Sequence, residues 1–317
     1  MKRILFSVMM FASLALTSTA ETVEPIKFGN FDNWVTRNIK ESAVIGGKTK
    51  TTYEIGPTQT INGAKAYTNL GGSPWGTSNV MAKVMGVVKT SNTVYPDVHG
   101  TGKCAKLVTQ FEHVKAIGII NMDVVAAGTI FLGSMQEPVS STKNPYSKMN
   151  MGIPFTKRPK FLQFDYKCIC PSGDRTYSSG FGKKKTVAGR DYSEVFILLQ
   201  RRWEDAKGNI HAARVGTGRV RFGTNVNNWS KYRLPIWYGD ITTHQGYKSY
   251  MGLISTKDKA YYAKNSKGKM VPVIEEKWDD DNATPTHMII MASSACGTAY
   301  IGTIGMTLWV DNFALVY

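Results

Sequence analysis

Apolar side chains along this chain fall mostly on alternate positions. Leu162, Phe164, Tyr166, Cys168 and Cys170 are separated by Gln163, Asp165 and Lys167, the two-residue period of a strand with one buried face. Pro159 precedes this stretch and Pro171-Ser172-Gly173 ends it. Residues 195–199 and 288–292 are unbroken apolar runs, as expected of strands covered on both faces. Residues 306–317, rich in β-branched and aromatic side chains and interrupted only by Asp311-Asn312, predict a long closing strand. Turn-forming stretches recur between these runs, among them Gly71-Gly72-Ser73-Pro74, residues 97–102, Asn144-Pro145 and residues 302–305. Amphipathic helical patterns are scarce, so the spacing predicts an all-β sandwich or barrel and excludes alternating βαβ units. The basic, polar stretch 257–269 predicts a surface loop or mobile hairpin.

The first twenty residues carry a different pattern. Lys2 and Arg3 lead into an apolar run over residues 4–16, followed by Ser18-x-Ala20, the layout of a cleaved secretory signal too short to span a bilayer. The expected organisation is a signal peptide over residues 1–20 and a single β-domain over 21–317, exported to the periplasm, the cell surface or the medium. The first cysteine is Cys104, so no lipid-anchoring cysteine follows the apolar run. No later segment approaches the roughly 18 apolar residues of a transmembrane helix.

Charge adds a constraint on partners. The chain holds 39 Lys and Arg against 23 Asp and Glu, a net of +16 that falls to about +14 without Lys2 and Arg3. That balance favours anionic partners, such as an acidic glycan or the cell envelope, but the basic residues are dispersed and no nucleic-acid-binding motif accompanies them. Cys104, Cys168, Cys170 and Cys296 permit two disulfides in an oxidising compartment or four buried thiols. No Cys-x-x-Cys occurs and the five histidines are scattered, so no metal site is expected. A Gly-x-Ser-x-Gly elbow, a phosphate-binding loop and a dinucleotide fingerprint are all missing, and no cofactor is expected. Asp97, Glu112, Asp165, Asp191, Glu194 and Asp311 sit near predicted strands, where two could converge as a catalytic pair, although carboxylates there more often form turns. His99 and His287 are expected to be structural.

At the C-terminus the residues resemble a known family. Pro285-Thr286-His287 leading residues 288–294, then Tyr300-Ile301-Gly302, then Gly305 through the closing strand to Leu315-Val316-Tyr317, is similar to the closing signature of the putative carbohydrate metabolism domain. Gly152-Ile153-Pro154-Phe155 with Arg158-Pro159, Asp191 before residues 195–199, Phe31-Asp32-Asn33-Trp34, and Trp75-Gly76-Thr77-Ser78-Asn79 resemble its earlier segments. Asn312 stands where a second acidic residue is usual and Met306 where serine is common, which weakens any cation site in this segment. The resemblance implies a jelly-roll β-sandwich similar to carbohydrate-binding modules. It also leaves no room for the immunoglobulin-like domain that precedes the jelly roll in many relatives.

That implication sets the functional expectation: non-catalytic glycan binding. A sugar site needs an exposed aromatic platform flanked by hydrogen-bonding side chains. Trp75, in a loop ending at Asn79, is the first choice; Trp34 and Trp237, the latter beside Tyr238 and Asp240, are the next. Trp309, on the closing strand, is expected to be structural. A glycoside hydrolase or polysaccharide lyase, and an adhesive or structural role at the envelope, are the alternatives. Asp32 and Asp311 would meet if a calcium ion tied the chain ends, but two turn-forming aspartates are the simpler expectation.

Overall fold

The computed structural model describes residues 20–116, 120–141, 143–180 and 182–317; the expected signal peptide falls, but for Ala20, outside them. Among the described residues the only helical elements are three short 3-10 turns, Ala43–Ile45, Pro145–Lys148 and Ser249–Met251. No described helix is long and apolar enough to cross a membrane.

Two large sheets stack face to face. The smaller has six strands, ordered Val226–Pro235, Phe161–Ile169, Thr307–Val316, Gly102–Val108 and Val94–His99, with Val23–Pro25 paired beside the C-terminal half of the closing strand. Every pairing in it is antiparallel. The larger sheet has ten strands. Ser193–Glu204 runs through its middle between His287–Ser293 and Ile210–Phe222, and the last of these pairs in parallel with Met270–Trp278.

The alternation read from the sequence explains how the layers join. Leu162, Phe164, Leu308, Val310 and Phe313 point inward from the smaller sheet and meet Ile130, Ile197, Leu199, Val215 and Ile290 of the larger one in a single buried cluster. Each such side chain contributes about 1.5–3 kcal/mol on leaving water, so slipping a strand by one residue would expose its whole apolar set. The unbroken runs are also explained. Phe196, Leu198, Ile289 and Met291 face away from that core into a second one, closed by Met149, Met151, Ile254 and Tyr261.

One expectation changes in part. The stretch 257–269 does enter a hairpin, Tyr262–Lys264 against Met270–Trp278, but it is not wholly at the surface, since Ala260, Tyr261, Tyr262 and Ala263 are buried. Four adjacent small or aromatic residues supply enough apolar area to dock the segment while the neighbouring lysines remain in water. All four cysteines are buried free thiols, with Cys168 Sγ and Cys170 Sγ 3.7 Å apart.

Candidate functional site

The outward face of the smaller sheet carries a dense grouping of aromatic and charged side chains. Along the closing strand Leu308 and Val310 point into the core, so Trp309 and Asp311 point away from it. Trp309 lies directly between Lys106 and Lys167 on its two neighbouring strands, and Asp311 pairs with Asp165. Asn312 follows in a left-handed conformation, φ 54°, where the register with Phe161–Ile169 shifts. This is a β-bulge: the extra residue returns Phe313 to the core and leaves the Asn312 amide outside, where its Nδ2 donates to Asp165 Oδ2 at 2.8 Å.

The sheet curls toward this face. His99 ends one edge strand and Trp229 belongs to the other, four strand spacings away in the order, which would separate them by about 19 Å in a flat sheet. Their rings nevertheless stack, with centroids 3.8 Å apart. The hairpin that carries His99 also needs its glycine, since a Cβ at Gly102 would lie 2.3 Å from Asp32 Oδ1; that oxygen accepts the Lys103 amide at 2.9 Å.

Carboxylates on the curled face hold the rings in place. Asp311 Oδ2 is 2.5 Å from His99 Nδ1, and its Oδ1 accepts the Asn312 amide. Burial pushes the Asp311 carboxyl up to about 6, against the opposing pull of His99 and that amide. Asp97 Oδ2 accepts the Trp309 indole N–H at 2.8 Å. Burial would raise Asp97 too, but the Trp309 bond, the Val98 amide and the nearby lysines outweigh it and hold the group below its ordinary value. The Lys167 ammonium sits over both indoles, 4.7 Å from the Trp309 centroid and 5.4 Å from that of Trp229, and forms no ion pair with a described carboxylate within 4.0 Å. Two tryptophans, an imidazole, an amide and a free ammonium thus converge on one concave surface, although Trp309, expected to be structural, is only 8% exposed beneath Lys106 and Lys167, so that Trp229 is the more open ring. Apolar ring faces there adjoin hydrogen-bonding edges.

A second concavity opens on the far side of the larger sheet. Past the end of the second core, hairpins Val80–Val84/Val87–Ser91 and Gln110–Ala116/Ile120–Ala126 stand over a cleft of about 310 Å³. Its walls include Val80, Val84, Val87, Met122, Val124 and Val139. At its floor Glu194 accepts from Arg219 at 2.7 and 3.0 Å and from Arg221 at 2.6 Å. Burial would raise the Glu194 carboxyl, but the two guanidiniums outweigh it and hold the group below its usual range. Ser91, Thr93, Ser141 and Thr298 also line it, but most of the accessible lining is apolar, which suits a ligand with an apolar body and few polar groups.

Residues 48–316 match the family model described as Putative carbohydrate metabolism domain. The chain belongs to that family. Its likeness to solved structures includes a putative glycoside hydrolase from Bacteroides thetaiotaomicron, 20% identical with a TM-score of 0.47, over 86% of this chain and 76% of that one. A putative glycoside hydrolase from Bacteroides vulgatus is 16% identical with a TM-score of 0.44, over 93% and 94% of the two chains. A carbohydrate-binding module specific for non-crystalline cellulose is 11% identical with a TM-score of 0.28, over 78% and 90%. No curated protein sequence matches the chain.

In this member of the putative carbohydrate metabolism domain family, the six residues singled out from the sequence do not form one site. Trp75 is fully buried, its ring packed edge-on against Phe31 and Phe313 and its indole N–H donated to the Lys27 carbonyl. The expected exposed platform is therefore a core residue, because the turn before it folds the ring between the two sheets. Trp34 is also buried, with its N–H on the Phe31 carbonyl. Asn79 is a buried strut: its amide donates to the Tyr53 and Val94 carbonyls and accepts the Thr93 and Val94 amides. Trp237 is half-buried and stacked on His244 at 3.8 Å, Tyr238 bonds the Pro159 carbonyl, and exposed Asp240 caps the turn to Thr242. Of the six acids near strands, Asp97, Asp165 and Asp311 share the curled face, whereas Asp191 accepts the Cys296 and Thr303 amides and Glu112 and Glu194 belong to the cleft. Among the described residues no three His, Cys, Asp or Glu side chains group as a metal site. Trp229 and His99 were missed as partners; the one available signal was a lone tryptophan among the polar residues Asn227, Asn228, Ser230 and Lys231.

Proposed function

We propose that the chain is an exported, non-catalytic carbohydrate-binding protein, and that a glycan lies across the curled face over Trp229 and Trp309. The observation that carries this reading is the convergence of two indoles with His99, Asp165, Asn312 and Lys167 from four strands on one concavity. A sugar ring would displace the flexible Lys167 stem, stack on an indole, and offer hydroxyls to the Asn312 amide, the Asp165 carboxylate and the lysine ammonium. Two stacked layers, the smaller antiparallel throughout and the larger mostly so, with the first strand paired to the last, support a jelly roll of the carbohydrate-binding-module kind. Family membership supports the glycan, and the amino-terminal pattern supports export. Non-catalytic binding is favoured because Asp97 and Asp311 already hold Trp309 and His99.

A glycan array followed by calorimetry tests the reading. At least one glycan should bind, and Trp229→Ala should weaken it by about tenfold or more, the equivalent of roughly 1.4 kcal/mol, without unfolding the protein. An array with no hits, or an affinity unmoved by that substitution, would sink it. The opposite titration shifts of Asp97 and Asp311 favour one second reading, a glycoside hydrolase. Release of reducing ends that stops in Asp97→Asn would establish it in place of simple binding.

A further inference from the structure

We propose that the cleft over the larger sheet is a separate binding site for a small apolar carboxylate, a medium-chain fatty acid in chemical class. The inference does not depend on the glycan reading, because the cleft and the curled face lie on opposite outer surfaces of the sandwich.

Size comes first. A cleft of about 310 Å³ holds about ten waters at roughly 30 Å³ each and falls at the small end of ligand sites, which run from about 300 to 1,000 Å³. The walls give the body of the ligand its character: Val80, Val84, Val124 and Val139 are half-buried and line open space with side chains that have nothing to offer a hydroxyl.

The floor gives the head group. Glu194 and Arg219 line the cleft, and Arg221, outside the lining, also pairs with Glu194; their side chains are 1%, 11% and 21% exposed, and two guanidiniums against this one carboxylate leave one positive charge in excess. A guanidinium has about five N–H donors. Arg219 uses Nε and Nη2 on Glu194 and Nη1 on the Tyr250 carbonyl, so two remain. Beside it Tyr261 is 9% exposed and lines the cleft, and its hydroxyl, kept neutral by burial of the ring, bonds no described residue and is open to the cleft. A free donor facing the cleft next to excess positive charge suits an anionic acceptor. Lys89 and Glu112 also line the cleft, and Lys89 pairs with Glu41 at 3.1 Å. A cation would meet the arginines, a neutral alkane would leave the Tyr261 hydroxyl unmet, and a sugar, polar on every edge, would bury most of its hydroxyls against a lining that is mainly apolar despite its serines and threonines. An apolar acid seats its carboxylate on Arg219 and Tyr261 and its chain along the valines.

Calorimetry of the mature chain with sodium octanoate, about ten non-hydrogen atoms and well below its micelle concentration, tests this. Saturable one-to-one binding is expected, with 1-octanol at least tenfold weaker. Tyr261→Phe, which keeps the ring, should cost about tenfold, and Val124→Trp, which fills the cleft, should abolish binding while thermal unfolding stays cooperative. No saturable heat, octanol binding as tightly as octanoate, or an affinity unchanged in either variant would overturn the proposal.

Discussion

The curled face and the floor of the cleft are both built from outward-pointing alternate residues of strands that share one core, yet they use charge in opposite ways. On the curled face carboxylates are distributed, and Asp97 and Asp311 each fix one aromatic ring at a partly solvated surface. At the cleft floor a single carboxylate is surrounded by two arginines beneath aliphatic walls. Rigid rings beside polar edges suit a ligand with hydroxyls around a flat apolar face. An apolar cavity with a concentrated charge suits a ligand with one polar end. Position in the sheet therefore decides less than what the outward residues are bonded to.

The largest effect should come from breaking the cleft floor. Glu194→Ala leaves two guanidiniums without their carboxylate, one of them well buried, and is expected to destabilise the fold by about 3–5 kcal/mol. Asp97, whose side chain is 38% exposed, should cost no more than about 1 kcal/mol on the same change. Urea denaturation of the two variants measures both; equal losses would erase the distinction between the regions.

The two regions should also titrate with opposite sign. Burial raises Asp311 from 3.8 to about 6, so its neutral form adds stability below its unfolded value, and that contribution is lost as pH rises through about 6. Glu194 is held below 4.5, so its contribution is present above that value and is lost as pH falls through the depressed one. Denaturation midpoints from about pH 3 to 8 should show Asp311→Asn flattening the decline between about pH 4 and 6, by an amount of order 1–3 kcal/mol, and Glu194→Gln flattening the acid side. A variant that flattens the wrong limb would contradict the assignment of that group.

Much of this architecture was legible because burial imposes period. Leu162, Phe164 and Tyr166 had to share a face, and the runs at 195–199 and 288–292 had to be covered twice, since no pleated strand hides consecutive apolar residues otherwise. The curled face was not legible, because His99 and Trp229 are 130 positions apart and meet only through sheet curvature, which no local pattern encodes. Trp75 misled for a related reason. Its flanking Gly, Ser, Pro, Thr and Asn read as an exposed loop, but Gly76 lies where a Cβ would come within 2.7 Å of Phe131, so small residues there serve close packing. Asp97, Asp165 and Asp311 were visible as acids near strand positions, and only the register showed which of the six would meet.

The smallest predicted effect bears on how the curled face is shaped. Asn312 holds φ 54° at the bulge that turns Phe313 inward, a conformation open to glycine at no steric cost and to asparagine at little. Its side chain also bonds Asp165 at an exposed position, which is worth little in water. Asn312→Gly should therefore change stability by less than about 0.5 kcal/mol, while Asn312→Ala, which keeps a Cβ but loses local hydrogen bonding, should cost about 1–2 kcal/mol. If the bond to Asp165 mattered more than the backbone conformation, the two variants would be equally destabilised. A glycine variant that keeps its stability but loses affinity for a glycan identified on the array would separate the amide's part in recognition from the backbone's part in the fold.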